Sequence, residues 1–179
     1  MSANNILRRG ANWAVMVLAA AVLLVFALPS YRQGEPSVAG KNAEDFLVTV
    51  EGQQARLSDY RGKVVVLNFW ASYCGSCVEE MPDLNRLQER IRSRGGVVLG
   101  VSVDENCQSF EHFLKEHPVA FQTTCEDSNK KVSLDYGTSL IPETYIIDRQ
   151  GRIARKVVGP QRWDSAEMTE YFDSALARD

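Results

Sequence analysis

The chain has 179 residues, 45% of them hydrophobic and 24% charged, with a formal net charge of -3. That is enough apolar material for one ordinary core, so a single domain is expected once any targeting segment is set aside. With no long basic run and no basic stripe interleaved with aromatics, there is no electrostatic footprint for nucleic acid, which is excluded as a partner.

Residues 1–29 differ in kind from the rest, because Arg8 and Arg9 precede a charge-free stretch from Ala11 to Pro29. Positive charge before an apolar span holds the N-terminus in the cytoplasm and sends the following chain across the membrane. The most apolar part, residues 13–28, lies within the range of a spanning helix, and its end lacks a good small-x-small cleavage site. An uncleaved single-pass inner-membrane anchor is therefore expected, ahead of a signal peptide cut near Ser37-Val38-Ala39. Either one delivers the domain to the periplasm or an equivalent oxidising space, where disulfides persist. Residues 30–41, with Gly34, Pro36 and Gly40, read as a linker, and residues 42–179 as the domain.

Residues 46–50 and 55–57 flank Glu51-Gly52-Gln53-Gln54 and predict a β-hairpin. Residues 64–70 form a nearly unbroken apolar run, as in a strand covered on both faces. A helix is predicted from 74 to about 92, with Met81, Leu84, Leu87 and Ile91 at helical spacing, a kink at Pro82, and Gly95-Gly96 as its stop. Then follow a buried strand at 97–103, a helix at 107–117, a short strand at 119–124 and a helical turn at 131–136. Residues 144–148 and 153–157 predict a second hairpin turning at Arg149-Gln150-Gly151, and residues 165–177 an amphipathic helix. This order gives a three-layer α/β sandwich with a mixed sheet.

The chemistry concentrates where the first buried strand hands over to its helix, at Cys74-Gly75-Ser76-Cys77. A thiol at a helix N-terminus faces unpaired N–H groups and the positive end of the macrodipole, which favour the thiolate. Cys74 is therefore the expected nucleophile. Cys77, one turn on and on the same face, is the expected resolving thiol. Glu80 lies three residues beyond Cys77 on that face and is the candidate acceptor of its proton, against the bland reading of Glu79 and Glu80 as a solvated pair. Zinc is disfavoured because Cys107 and Cys125 form no second C-x-x-C and neither His112 nor His117 has ligand spacing. Cys107 and Cys125 should lie near the same sheet edge, which leaves open a structural disulfide, two free thiols or a second redox pair.

The block from Asn68 to Pro82, the Val101-Ser102-Val103-Asp104 strand end, Tyr136-Gly137, the run from Ile141 to Asp148 and Gly159-Pro160-Gln161-Arg162-Trp163-Asp164-Ser165 together resemble the thioredoxin fold. They closely resemble its membrane-anchored ResA/TlpA/CcmG (DsbE) group of thiol-disulfide oxidoreductases. The resemblance implies a cis-proline at Pro142 beside the sulfurs, with Ile141 offering its backbone to an extended partner peptide, and a proton-accepting role for Glu80. Trp70, Tyr73, Ile141, Pro142 and Glu143 form the expected substrate-facing set, although Trp70 can simply pack beside the site and Glu143 can equally be a rim charge. No cofactor is implied beyond the Cys74-Cys77 pair itself. The implied partners are proteins with cysteine pairs, apocytochrome c among them, and a membrane thiol donor of the DsbD/CcdA type. Reduction is the implied direction. A net oxidant and a general envelope thiol reductase are its rivals. A peroxidase is disfavoured by Ala71, where peroxiredoxins carry threonine, and a copper carrier of the Sco type by a spacing one residue too short. Tyr73 and Gly75-Ser76 depart from the group's commoner residues and leave the redox potential open.

Overall fold

A computed structural model of the chain describes residues 16–19, 38–50, 52–125 and 129–177. The chain divides into two units, residues 1–36 and 37–179. In the first, residues 16–19 form one helical turn with Met16, Val17 and Leu18 exposed. The rest of the expected anchor, and most of the expected linker, lie outside the described residues. No helix among the described residues is long and apolar enough to cross a membrane.

The second unit begins before residue 42. The Gly40 N–H donates to the Ile153 carbonyl at 2.7 Å and Ile153 returns a bond to Lys41 at 2.8 Å, which ties the end of the expected linker into the domain. Strands β1 (Leu47–Val50) and β2 (Gln53–Arg56) form the first hairpin. Val50 pairs with Gln53, so Gln53 and Gln54 belong to the strand rather than to the turn, and Gly52 supplies the positive φ of 76° that a tight connection needs.

The main sheet has the order β5-β4-β3-β6-β7, built from β3 (Val64–Trp70), β4 (Gly96–Ser102), β5 (Gln122–Thr124), β6 (Glu143–Ile147) and β7 (Ile153–Val158). β3, β4 and β5 run parallel, while β6 is antiparallel to both β3 and β7. All seven residues of β3 are buried, and their period of two divides them between two cores. Val65, Leu67 and Phe69 face the hairpin, Tyr136 and the helix α3 (Lys131–Asp135). Val64, Val66 and Trp70 face α1 (Gly75–Arg92), Phe110 of α2 (Cys107–Glu116), and Met168, Phe172 and Leu176 of α4 (Ala166–Ala177). These are the three layers expected, with α1 running through Pro82.

β5 is shorter than the expected 119–124. The Ala120 N–H is taken by the Asn85 side chain of α1 at 2.7 Å, which withholds the preceding residues from the sheet. Gly100 on β4 allows another close approach, because a Cβ there would come within 3.0 Å of the Trp70 indole nitrogen. The indole uses that space to reach Thr123 on β5, donating to its hydroxyl at 3.2 Å.

Candidate active site

The carboxyl ends of β3, β4 and β5 open onto one edge of the sheet, and the cysteines gather there. Cys74 is the N-cap of α1, with extended backbone, and its sulfur accepts the Cys77 N–H at 3.2 Å. The sulfur therefore occupies the place where serine or aspartate usually satisfies an orphan N–H. No acidic residue lies in the first turn to compete for that positive end. Ser76 Oγ is 3.5 Å from the Cys74 sulfur and the Ile141 carbonyl oxygen 3.8 Å from it. Cys74 and Cys77 are joined as a disulfide, with Cα atoms 5.2 Å apart. Their burial is unequal, Cys74 being half-buried and Cys77 only 1% exposed.

Glu80 shares the buried face of α1 with Cys77, and residues three apart on a helix are neighbours. It is 4% exposed, whereas Glu79 is open to solvent. Its Oε1 accepts from Asn68 of β3 at 2.9 Å and its Oε2 from the Gln161 backbone N–H at 3.0 Å. The buried Trp163 indole N–H makes no full hydrogen bond but adds its positive end to the same carboxyl. Burial still outweighs these donors and pushes the Glu80 carboxyl up to about 7. Asn68 also donates to Thr144 Oγ1 at 2.9 Å, which links the acid to β6.

The Ile141–Pro142 peptide bond is cis, and Ile141 is half-buried beside Cys74. Tyr73 and Leu140 are both exposed and, with Leu134 and Ile141, line an open groove next to the disulfide. Three of the five residues expected to face a substrate, Trp70, Pro142 and Glu143, are buried. Trp70 is fully buried against Phe110 and Phe113, because its position on β3 turns the ring into the helical core. Glu143 is 1% exposed, neither rim charge nor open contact, since its Oε1 pairs with Lys156 Nζ at 2.8 Å and its Oε2 accepts from Tyr145 OH at 3.2 Å. Burial opposes the Lys156 charge, yet Glu143 and Tyr145 hold its ammonium above the ordinary lysine value. Lys156 also donates to the Gly137 carbonyl at 3.2 Å. Replacing Lys156 by methionine should destabilise the domain by about 3–5 kcal/mol, and adding Glu143→Gln should recover much of the loss, as chemical denaturation would read.

Cys107 and Cys125 are bonded to each other, both half-buried, closing a sequence separation of 18. In the chain-entropy picture, the paired substitution Cys107→Ser with Cys125→Ser should cost about 3 kcal/mol of unfolding free energy in a urea titration.

Asn68, Gln161 and Asp104 carry no expected role in the sequence, yet they shape the site. The signal for Asn68 was a lone amide in an otherwise apolar run. Asp104 showed only as a strand end, and nothing local announced the Gln161 N–H. Among the described residues no group of acidic, histidine or cysteine side chains is arranged to hold a metal ion.

Residues 39–156 match the model of the AhpC/TSA family. The thiol-disulfide oxidoreductase ResA of Geobacillus kaustophilus is 32% identical over 154 residues, 86% of this chain and 88% of that protein. ResA of Bacillus anthracis is 29% identical over the same shares. The crystal structure of a putative thiol:disulfide interchange protein DsbE from Chlorobium tepidum matches with a TM-score of 0.73 and 29% identity, covering 78% of this chain and 98% of that one. The chain therefore belongs to the thioredoxin-like AhpC/TSA family and is a thiol-disulfide oxidoreductase of the ResA and DsbE type.

Proposed function

We propose that the chain reduces disulfides in proteins outside the cytoplasm, apocytochrome c among them, from a tether formed by residues 1–29 in the inner membrane. The observation that carries this reading is the unequal standing of the two sulfurs: Cys74 is reachable at the helix mouth, and Cys77 is sealed in above a buried carboxyl. In the reduced protein the Cys74 thiolate attacks one sulfur of the substrate disulfide. The Cys74–substrate bond forms, the substrate S–S bond breaks, and the other substrate sulfur leaves as a thiolate that takes a proton from water. Cys77 then gives its proton to Glu80 and attacks Cys74. The Cys74–Cys77 bond forms and the second substrate sulfur departs, to be protonated in turn. Two electrons have passed to the substrate, and the protein holds the disulfide seen here.

In this reading Tyr73 and Ile141 face the partner peptide, whose extended backbone lies along Ile141, with the buried Pro142 beneath it. Trp70 and Glu143 support that surface from below. A membrane dithiol donor of the DsbD/CcdA type returns the electrons by the same exchange in reverse, so the cycle needs no cofactor beyond the cysteine pair. Equilibration of the Cys74-Cys77 couple with a glutathione buffer tests the direction. A potential near the thioredoxin value of roughly -270 mV supports reduction, and one near the DsbA value of roughly -120 mV overturns it in favour of net oxidation.

A further inference from the structure

Asp104 is a buried carboxylate that the exchange chemistry does not use, 2% exposed just beyond the end of β4. Its Oδ2 accepts the Ser72 backbone N–H at 2.9 Å, its Oδ1 the Ser72 hydroxyl at 2.7 Å, and its Oδ2 also the Ser102 hydroxyl at 2.6 Å. Ser72 lies inside the turn closed by the Cys74 N–H on the Ala71 carbonyl at 3.1 Å, the turn that sets Cys74 on the end of α1. The loop carrying Asp104 is itself pinned. Cys107, three residues on, is bonded to Cys125 at the end of β5, and the Cys125 sulfur lies 3.9 Å from the Asp104 carbonyl oxygen.

We propose that Asp104 is a positioning residue for Cys74, and that the Cys107–Cys125 disulfide is the brace that keeps it in place. The inference rests on Cys74 being the attacking sulfur. Burying a carboxylate beside a group that must become a thiolate is electrostatically adverse, so the arrangement makes sense through geometry. Two hydrogen bonds to one residue fix both the backbone and the side chain of Ser72. That fixes where the Cys74 sulfur stands relative to the Cys77 N–H and the Ser76 hydroxyl. A looser turn weakens those contacts to the thiolate, and a less stabilised reduced form makes the couple more reducing.

The test compares Asp104→Ala with Asp104→Asn in the full chain. Both remove the charge, but asparagine keeps an acceptor for the Ser72 N–H and a partner for its hydroxyl, so the difference between the two reads position alone. The readouts are the equilibrium constant of the Cys74-Cys77 couple against glutathione, followed by mass spectrometry of its own peptide, and the rate of Cys74 alkylation by iodoacetamide. Asp104→Ala should be more reducing than Asp104→Asn by about tenfold in that constant, about 30 mV, and its Cys74 should alkylate more slowly. The paired change of Cys107 and Cys125 to serine should move the constant the same way by about threefold, and should add less than that in an Asp104→Ala background. Ser72→Ala, a milder change in case Asp104→Ala fails to fold, should fall between wild type and Asp104→Ala. Equal values for Asp104→Ala and Asp104→Asn, or for Ser72→Ala and wild type where Asp104→Ala does not fold, overturn the positioning role. A cysteine-to-serine pair indistinguishable from wild type overturns the brace. If wild-type Cys74 itself alkylates like an ordinary thiol, the assignment of Cys74 as nucleophile fails instead, and that result is separable from both.

Discussion

Replacing Cys77 by alanine is expected to lower turnover with a protein disulfide by at least about a thousandfold while leaving the first attack intact. Cys74 keeps its place as N-cap and its hydrogen bond from the residue 77 backbone N–H, because alanine retains that donor. The half-reaction that joins Cys74 to a substrate therefore proceeds. What disappears is the only sulfur bonded to Cys74 in this structure, so the mixed disulfide accumulates. Non-reducing electrophoresis with mass spectrometry reads the result directly. Adducts on Cys74 that dithiothreitol releases support the assigned order of attack, and adducts found instead on the reciprocal Cys74→Ala protein reverse it. The identity of the captured proteins separates apocytochrome maturation from general envelope repair.

Glu80→Gln is expected to slow release of the resolved substrate by about a hundredfold, the scale of a lost general base. With a carboxyl that titrates at about 7, resolution in the wild type should quicken as pH rises through neutrality. The glutamine protein should lack that limb in stopped-flow measurements of mixed-disulfide decay. Stability should move the other way. The carboxyl binds its proton more tightly in the folded state than at its ordinary value of 4.5, so the native protein holds more protons between pH 4.5 and about 7. Its favourable contribution is fully present below pH 4.5 and is lost as pH rises through about 7. Above that pH the glutamine protein should be the more stable by up to about 3 kcal/mol, the free-energy equivalent of the shift. An enzyme that gains stability when its acid is neutralised, and loses rate in the same step, carries that acid for chemistry.

Local patterns made much of this site readable. The Cys74-Cys77 spacing, the apolar run before it and the three-residue step to Glu80 are short-range features, and their geometry follows from strand and helix periodicity alone. Pro142 needed the resemblance, because no local pattern distinguishes a cis from a trans X-Pro bond. Contacts that depend on register were out of reach. Asn68 meets Glu80 only because β3 sends its even-numbered side chains toward α1, and the Gln161 N–H arrives from a loop far along the chain. Trp70 and Glu143 are expected at the substrate surface, near Cys74 and Pro142. The alternation of a strand carries each of them inward instead, and a long aromatic or a paired carboxylate is tolerated there once Thr123 and Lys156 supply partners. The first hairpin is tighter by two residues than its sequence pattern predicts, because Gln53 and Gln54 have weak strand preference and join β2 through pairing with β1.

The mixed direction of the sheet also sets when the surroundings of the sulfurs are completed. Cys74 enters from a strand with parallel neighbours on one side, but Pro142 and Thr144 approach from the antiparallel side, and Asn68 reaches Thr144 across 76 positions of sequence. As the polypeptide is made from its amino end, the two thiols emerge long before the proline and the segment at Gln161 that completes their surroundings. A growing chain that stops short of β6 thus holds the cysteine pair without Pro142, Thr144 or the Gln161 N–H. The order of synthesis therefore leaves the site to be finished last, by contacts of long sequence separation.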